Sequence, residues 1–127
     1  MTRINTFQDL QVWQKAHQLV LAVYKVTKEF PYEERFILSA QQKRAAISIA
    51  SNIVEGFRRR TTKDSLHFYN MSQGSLEELK YQLLLSKDLR FITEAEFKRV
   101  SDLSDEVGKL LFRWIESNKQ LIWSLIS

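Results

Sequence analysis

The chain has no cysteine, one proline and three glycines in 127 residues. Without cysteine there is no disulfide framework, no thiolate nucleophile and no cysteine-ligated zinc finger. A reducing, cytoplasmic setting is the simplest expectation from that absence. So few prolines and glycines argue against a many-turned β architecture and for long helices. Histidine is also scarce: His17 and His67 are the two present. Neither has a glutamate three residues before it, so the Glu-x-x-His pairs of di-metal bundles are missing. No GxxxxGK[ST] or GxGxxG loop is present to cradle phosphates. No apolar run approaches the roughly 20 residues of a membrane helix, and the opening MTRINTFQDL has no apolar signal core. The expectation is a protein without catalytic residues, metal or cofactor, and not held in a membrane.

Hydrophobic residues make up 44% of the chain and charged residues 27%, an ordinary balance for one globular domain over residues 1–127. Net charge is +4, unevenly spread. Residues 1–63 carry 11 lysines and arginines against 5 acids, and residues 64–127 carry 8 against 10. A basic half attracts polyanions such as RNA or DNA.

Periodicity and punctuation predict four helices, at about 9–28, 33–59, 63–89 and 94–119. In the first, Leu10, Trp13, His17, Val20, Tyr24 and Thr27 form a seam, with Val12, Ala16, Leu19, Val23 and Val26 beside it. Pro31 separates the first helix from the second, because the residue before a proline is pushed out of the α region. Thr61 or Thr62 can cap the third helix, and Thr93–Glu96 reads as a capping box for the fourth. Gly74, in the middle of the third helix, suggests close approach of a neighbour. Short connections make consecutive helices antiparallel, so the expected fold is all-α, an up-down-up-down four-helix bundle.

Two features exceed what a lone bundle needs. On the second helix, Leu38, Ala45, Ile49 and Ile53 form one apolar stripe, and Ile47, Ala50, Val54 and Phe57 a neighbouring one. Together they cover about 200° of the wheel, against the roughly 100° of an ordinary surface helix. The first helix doubles in the same way, and both suggest a homo-oligomer. Then the second helix ends in Arg58, Arg59 and Arg60, with Lys63 just beyond. Cations suit helix C-termini, but three in a row exceed capping, and the planar guanidinium matches phosphate. Such a cluster would hold nucleic-acid backbone with little base specificity. The apolar tail Leu121, Ile122, Trp123, Leu125 and Ile126 offers an alternative, a scaffold that docks a partner protein without nucleic acid.

Gln41, Arg44, Ser48, Asn52, Glu55 and Arg59 share a polar stripe within about 80° of the second helix. Polar groups at a packed seam need partners, so the stripe reads as structural. A catalytic reading would need a base beside Ser48, and neither histidine has a spacing that supplies one.

Three blocks carry a family resemblance. FQDLQVWQKAHQL resembles the F-x-D-L-x-V-W-x-x-A opening of the four-helix-bundle proteins of the 23S ribosomal-RNA intervening-sequence family. FPYEERFILSAQQKRAAISIASNIVEGFRR resembles their second block, P-x-x-E-x-[FY]-x-L-x-x-Q-x-R-R-A-x-x-S-I-x-x-N-I-x-E-G, and GSLEELKYQLLLSKDL their third. Lys43 stands where the family usually has arginine, and Ser72 where alanine is usual. The resemblance implies a four-helix bundle with no established enzymatic activity. Arg44, Ser48, Asn52, Glu55 and Gly56 match its pattern and would be fold and assembly positions. A similar branch, the accessory protein of diversity-generating retroelements, is a basic homopentamer that binds nucleic acid and a reverse transcriptase. The resemblance therefore implies a pentamer of bacterial origin, with nucleic acid and a protein as candidate partners.

Overall fold

In the computed structural model, which describes residues 3–126, four helices make up most of the chain. They are α1 (Gln11–Thr27), α2 (Leu38–Arg58), α3 (Thr62–Asp88) and α4 (Glu94–Ile126). Two 3-10 turns, Phe7–Asp9 and Tyr32–Glu34, precede α1 and α2. There is no strand among the described residues. Each helix packs on the next, and α4 closes the square against α1.

The direction of each helix follows from its cross-links. Ile49 of α2 meets Ser72 of α3, and Gly56 meets Ser65, so rising numbers in one helix meet falling numbers in the other. The same inversion relates α3 to α4, where Lys80 pairs with Asp105 and Tyr69 faces Trp114. Lys15 at the start of α1 pairs with Glu106 in α4, and Phe30 just past the end of α1 meets Phe91 just before α4, so α1 and α4 are inverted too and the bundle is up-down-up-down, as the short connections predict. Its core is filled by side chains such as Leu19, Ile49, Leu79 and Val107.

Local chemistry sets the helix ends. The Asp9 carboxylate accepts the backbone N–H groups of Asn5 and Thr6 at 2.9 and 3.0 Å, which closes a 3-10 turn and moves the start of α1 to Gln11. Helix α2 begins at Leu38 rather than 33. After Pro31 the chain bonds in tighter steps, Glu34 N–H to Pro31 O at 2.9 Å and Ile37 N–H to Glu34 O at 3.0 Å. The Arg35 guanidinium also takes the Tyr32 carbonyl at 2.9 Å, an acceptor that an α-helix would need. Thr61 caps α3 by accepting from Asp64 N–H at 3.1 Å. Thr93 and Glu96 form the reciprocal capping box of α4. With no proline or glycine after Gly108, α4 runs past 119 to Ile126.

Three expectations are corrected by the packing. On α1 the stripe that faces the core is Val12, Ala16, Leu19, Val23 and Val26, while Tyr24 and His17 are exposed. His17 lies stacked on Trp13, with ring centroids 5.0 Å apart, outside the seam. The doubled apolar faces of α1 and α2 are largely consumed within one chain, because Trp13, Val20, Ala50 and Phe57 all pack against the core. Leu21, Tyr24 and Ile47 remain exposed. Gly74 has no neighbour within 4 Å of where a Cβ would stand, so no helix of this chain approaches it. The close approach occurs at Gly56, where a Cβ would come within 2.4 Å of the Tyr69 ring.

Candidate nucleic-acid interface

The basic run lies on the turn that joins α2 to α3, and the turn divides it. Arg58 is the last residue of α2, Arg59 is extended (φ −68°, ψ 149°), and Lys63 lies in the first turn of α3. The corner is rigid: Ser65 Oγ donates to the Gly56 carbonyl at 2.7 Å, and Ser65 N–H to Thr61 O at 3.0 Å.

The four cations are not equivalent. Arg59 donates to Glu55 Oε2 at 2.8 Å and lies 4.2 Å over the Phe68 ring, so both its charge and its flat face are engaged. Arg58, Arg60 and Lys63 are exposed, and none belongs to an ion pair among the described residues. Glu55 and Asp64 are the acids that line the same shallow hollow as the three arginines. With Lys63 counted, four cations face two carboxylates. Helix-end electrostatics accounts for Arg58, at the C-terminus of α2. It opposes Arg60 and Lys63, which stand at the N-terminus of α3, where the helix dipole disfavours a cation by about 0.3–1 kcal/mol.

The polar stripe has a different character. Ser48 Oγ is 2.8 Å from Ser75 Oγ of α3, and Asn52 Nδ2 donates to the Ser48 carbonyl at 2.9 Å and to its Oγ at 3.0 Å. These residues satisfy one another across the α2–α3 seam. Glu55 pairs along its own helix with Arg59, while Arg44 and Gln41 are exposed. Gly56 serves packing, as its contact with Tyr69 demonstrates. His67 is exposed and set edge-on to Phe68. The residues singled out for the basic run are thus brought together, while the stripe divides into a hydrogen-bonded seam and an exposed rim.

Two groups escaped the sequence reasoning. Gln42, fully buried, donates to the Gln82 carbonyl at 3.2 Å and to Ser86 Oγ. Its phase on the α2 wheel, shared with Ala45 and Ile49, carried that signal. The second group is Tyr32, Arg35, Phe36 and Ile37, all exposed. An arginine between aromatics in FPYEERF was the available clue. Of the apolar tail, Leu121 and Trp123 are exposed, whereas the side chains of Leu125 and Ile126 lie outside the described ones.

An all-α chain of four antiparallel helices, with a cationic corner and a hydrogen-bonded polar seam, defines a small basic helix-bundle protein. Residues 8–113 match the family model of the 23S rRNA-intervening sequence protein, and the chain belongs to that family. It is similar to a crystal structure of a protein of unknown function from the S23 ribosomal protein family of Bacteroides thetaiotaomicron. That likeness has 26% identity and a TM-score of 0.76 and covers 82% of this chain and 97% of the other. No curated protein matches it. Among the described residues, no helix is long and apolar enough to cross a membrane.

Proposed function

We propose that this protein is a non-enzymatic, cytoplasmic homo-oligomer, a pentamer in our reading, that binds the backbone of RNA or DNA through Arg58, Arg60 and Lys63. One observation carries the reading. Arg60 and Lys63 have no described acidic partner and stand where the α3 dipole disfavours them. A charge placed against its local electrostatics suits an external anion, and a polymer of phosphates fits a row of cations better than a single small anion does. Arg59 acts indirectly, holding the corner through Glu55 and Phe68. The oligomer rests on Leu21, Tyr24 and Ile47, left exposed along the α1–α2 seam. In a ring, the cationic corners of all copies would add their fields.

The test is fluorescence anisotropy with a labelled single-stranded RNA at low salt. Replacing Arg58, Arg60 and Lys63 with glutamine is expected to weaken binding at least tenfold with the helical signal unchanged. Undiminished binding by the triple variant overturns the site. Light scattering of nuclease-treated protein checks the assembly, and a monomeric mass at micromolar concentration overturns it.

A second reading, a protein scaffold without nucleic acid, is favoured by Leu121 and Trp123, which are 56% and 64% exposed on the last turns of α4. Removing residues 121–127 separates the two. Loss of a co-purifying protein with RNA binding intact supports the scaffold.

A further inference from the structure

The end of the bundle opposite the cationic corner carries an apolar surface that the chain leaves open. Tyr32, Phe36 and Ile37 are 72%, 78% and 61% exposed, all within the connection between α1 and α2. A flexible loop would bend such side chains inward, but this one is braced. The Arg35 guanidinium lies 3.6 Å over the Tyr32 ring and 4.6 Å from the Phe36 ring, while its Nη1 donates to Tyr32 O at 2.9 Å. Three 3-10-type backbone bonds hold the segment from Pro31 to Ile37. The result is a preformed ledge of tyrosine, arginine, phenylalanine and isoleucine. Such residues supply large contact area, and their side-chain entropy is already spent before any partner arrives.

The rim of the ledge decides what fits it. Along the chain Glu29, Glu33 and Glu34 flank the aromatic residues, with Lys28 next to Glu29, and none of the three glutamates has a cation partner among the described ion pairs. One oxygen of Glu34 is buried without a hydrogen-bond donor. The three carboxylates outnumber Lys28 and Arg35 beside them, and this excess of negative charge disfavours a phosphate backbone, so a stack of nucleic-acid bases on Tyr32 and Phe36 is disfavoured although the rings would suit it. We infer that Tyr32, Arg35, Phe36 and Ile37 form a docking ledge for a protein partner, an amphipathic segment whose apolar face covers the rings and whose lysines or arginines meet Glu29, Glu33 and Glu34. The ledge and the cationic corner lie at opposite ends of α2, about 30 Å apart at 1.5 Å per residue. The inference is therefore independent of the proposed nucleic-acid site.

The experiment is an NMR titration of the isotope-labelled full chain with two synthetic amphipathic helical peptides. They share one leucine face, and their polar faces are all lysine or all glutamate. The lysine peptide is expected to shift the amide signals of residues 29–37 and to bind at least tenfold more tightly than the glutamate peptide. Tyr32→Ser with Phe36→Ser is expected to abolish those shifts, with the thermal midpoint and single-stranded RNA binding unchanged. Glu33→Gln with Glu34→Gln, which leaves the rings in place, should remove the preference for lysine. Three results overturn the inference: no shift at residues 29–37 with either peptide, equal binding of both peptides, or stronger shifts there with a uridine oligonucleotide. Concentration-dependent shifts at those residues without peptide also overturn it, by assigning the ledge to a second copy of the chain.

Discussion

Gly56 of α2 lies against the ring of Tyr69 of α3 so closely that a methyl group there would come within 2.4 Å of Cε1 and 2.8 Å of Cδ1. Tyr69 is 1% exposed and cannot swing aside. The two helices touch over this pair because one side chain is absent and the other fills the space. Gly56→Ala is therefore expected to lower stability by about 1–3 kcal/mol, the usual cost of overpacking. At Gly74, where a methyl would meet nothing within 4 Å, alanine should raise stability by about 0.5–1 kcal/mol through helix propensity. Urea midpoints of the two variants should move in opposite directions.

Burial holds the Tyr69 phenol above its ordinary value of 10.0, since the phenolate would lose its water. A group whose folded-state pKa is raised contributes its full share of stability below the unfolded pKa and loses it as pH rises through the folded one. Stability is thus expected to fall above about pH 10, beyond what the other ionisations cause. An ultraviolet titration should show one tyrosine component ionising above the ordinary phenol range. Tyr69→Phe should remove that late component and flatten the alkaline loss.

Gln42 is a polar side chain in the α2 core, with its amide N–H groups on Gln82 O and Ser86 Oγ and its Oε1 buried without a donor. Half of its hydrogen-bonding capacity is therefore already forfeited. Gln42→Met, close in volume, is expected to change stability by less than about 1.5 kcal/mol. Gln42→Ala, which leaves a cavity, should cost about 2–4 kcal/mol, near the range for large-to-alanine core changes. Thermal unfolding followed by circular dichroism distinguishes them.

Salt dependence reports how many cations meet phosphate. If Arg58, Arg60 and Lys63 each contact the backbone of a single strand, affinity should fall roughly 20-fold between about 50 and 200 mM salt, from a slope of about −0.7 per contact. Arg59→Gln should leave that slope nearly intact, because Arg59 is already spent on Glu55 and Phe68. Arg58→Gln should reduce it by roughly one contact's share. Equal effects of the two substitutions would contradict the division of the run by the turn.

At low pH the N-terminal turn is the weak point. Hydrogen bonds from the Asn5 and Thr6 backbone hold the Asp9 carboxyl below its ordinary value of 3.8. Its contribution is present above that value and lost as pH falls through the lowered one. Protection of the Asn5 and Thr6 amides, measured against their intrinsic exchange rates, should fall below about pH 4, and Asp9→Asn should make that protection insensitive to acid.

The helices were legible because their signals are local. Pro31, the Thr93–Glu96 box, the threonines after the arginine run and the 3–4 spacing of apolar residues act within a turn or two of where they stand. The family pattern was legible for the same reason, since it is a string of residues. The start of α2 was misread because Arg35 competes for a carbonyl that helix propensity assigns to the backbone. What lies across from each helix decided the rest. Two apolar stripes on α1 look alike in one dimension, and only the positions of α2 and α4 make Val12, Ala16 and Leu19 core and leave His17 and Tyr24 outside. Gly56 and Gly74 are the same residue in the same kind of helix, and one is indispensable because Tyr69 happens to oppose it. The run of arginines was plain in the sequence; that Arg59 is neutralised while Arg58, Arg60 and Lys63 are not depends on how the α2–α3 turn aims each side chain. Composition and periodicity thus determined a basic four-helix chain, and tertiary structure decided which of its charges and apolar faces remain for others, because long-range contacts consume some and leave the rest.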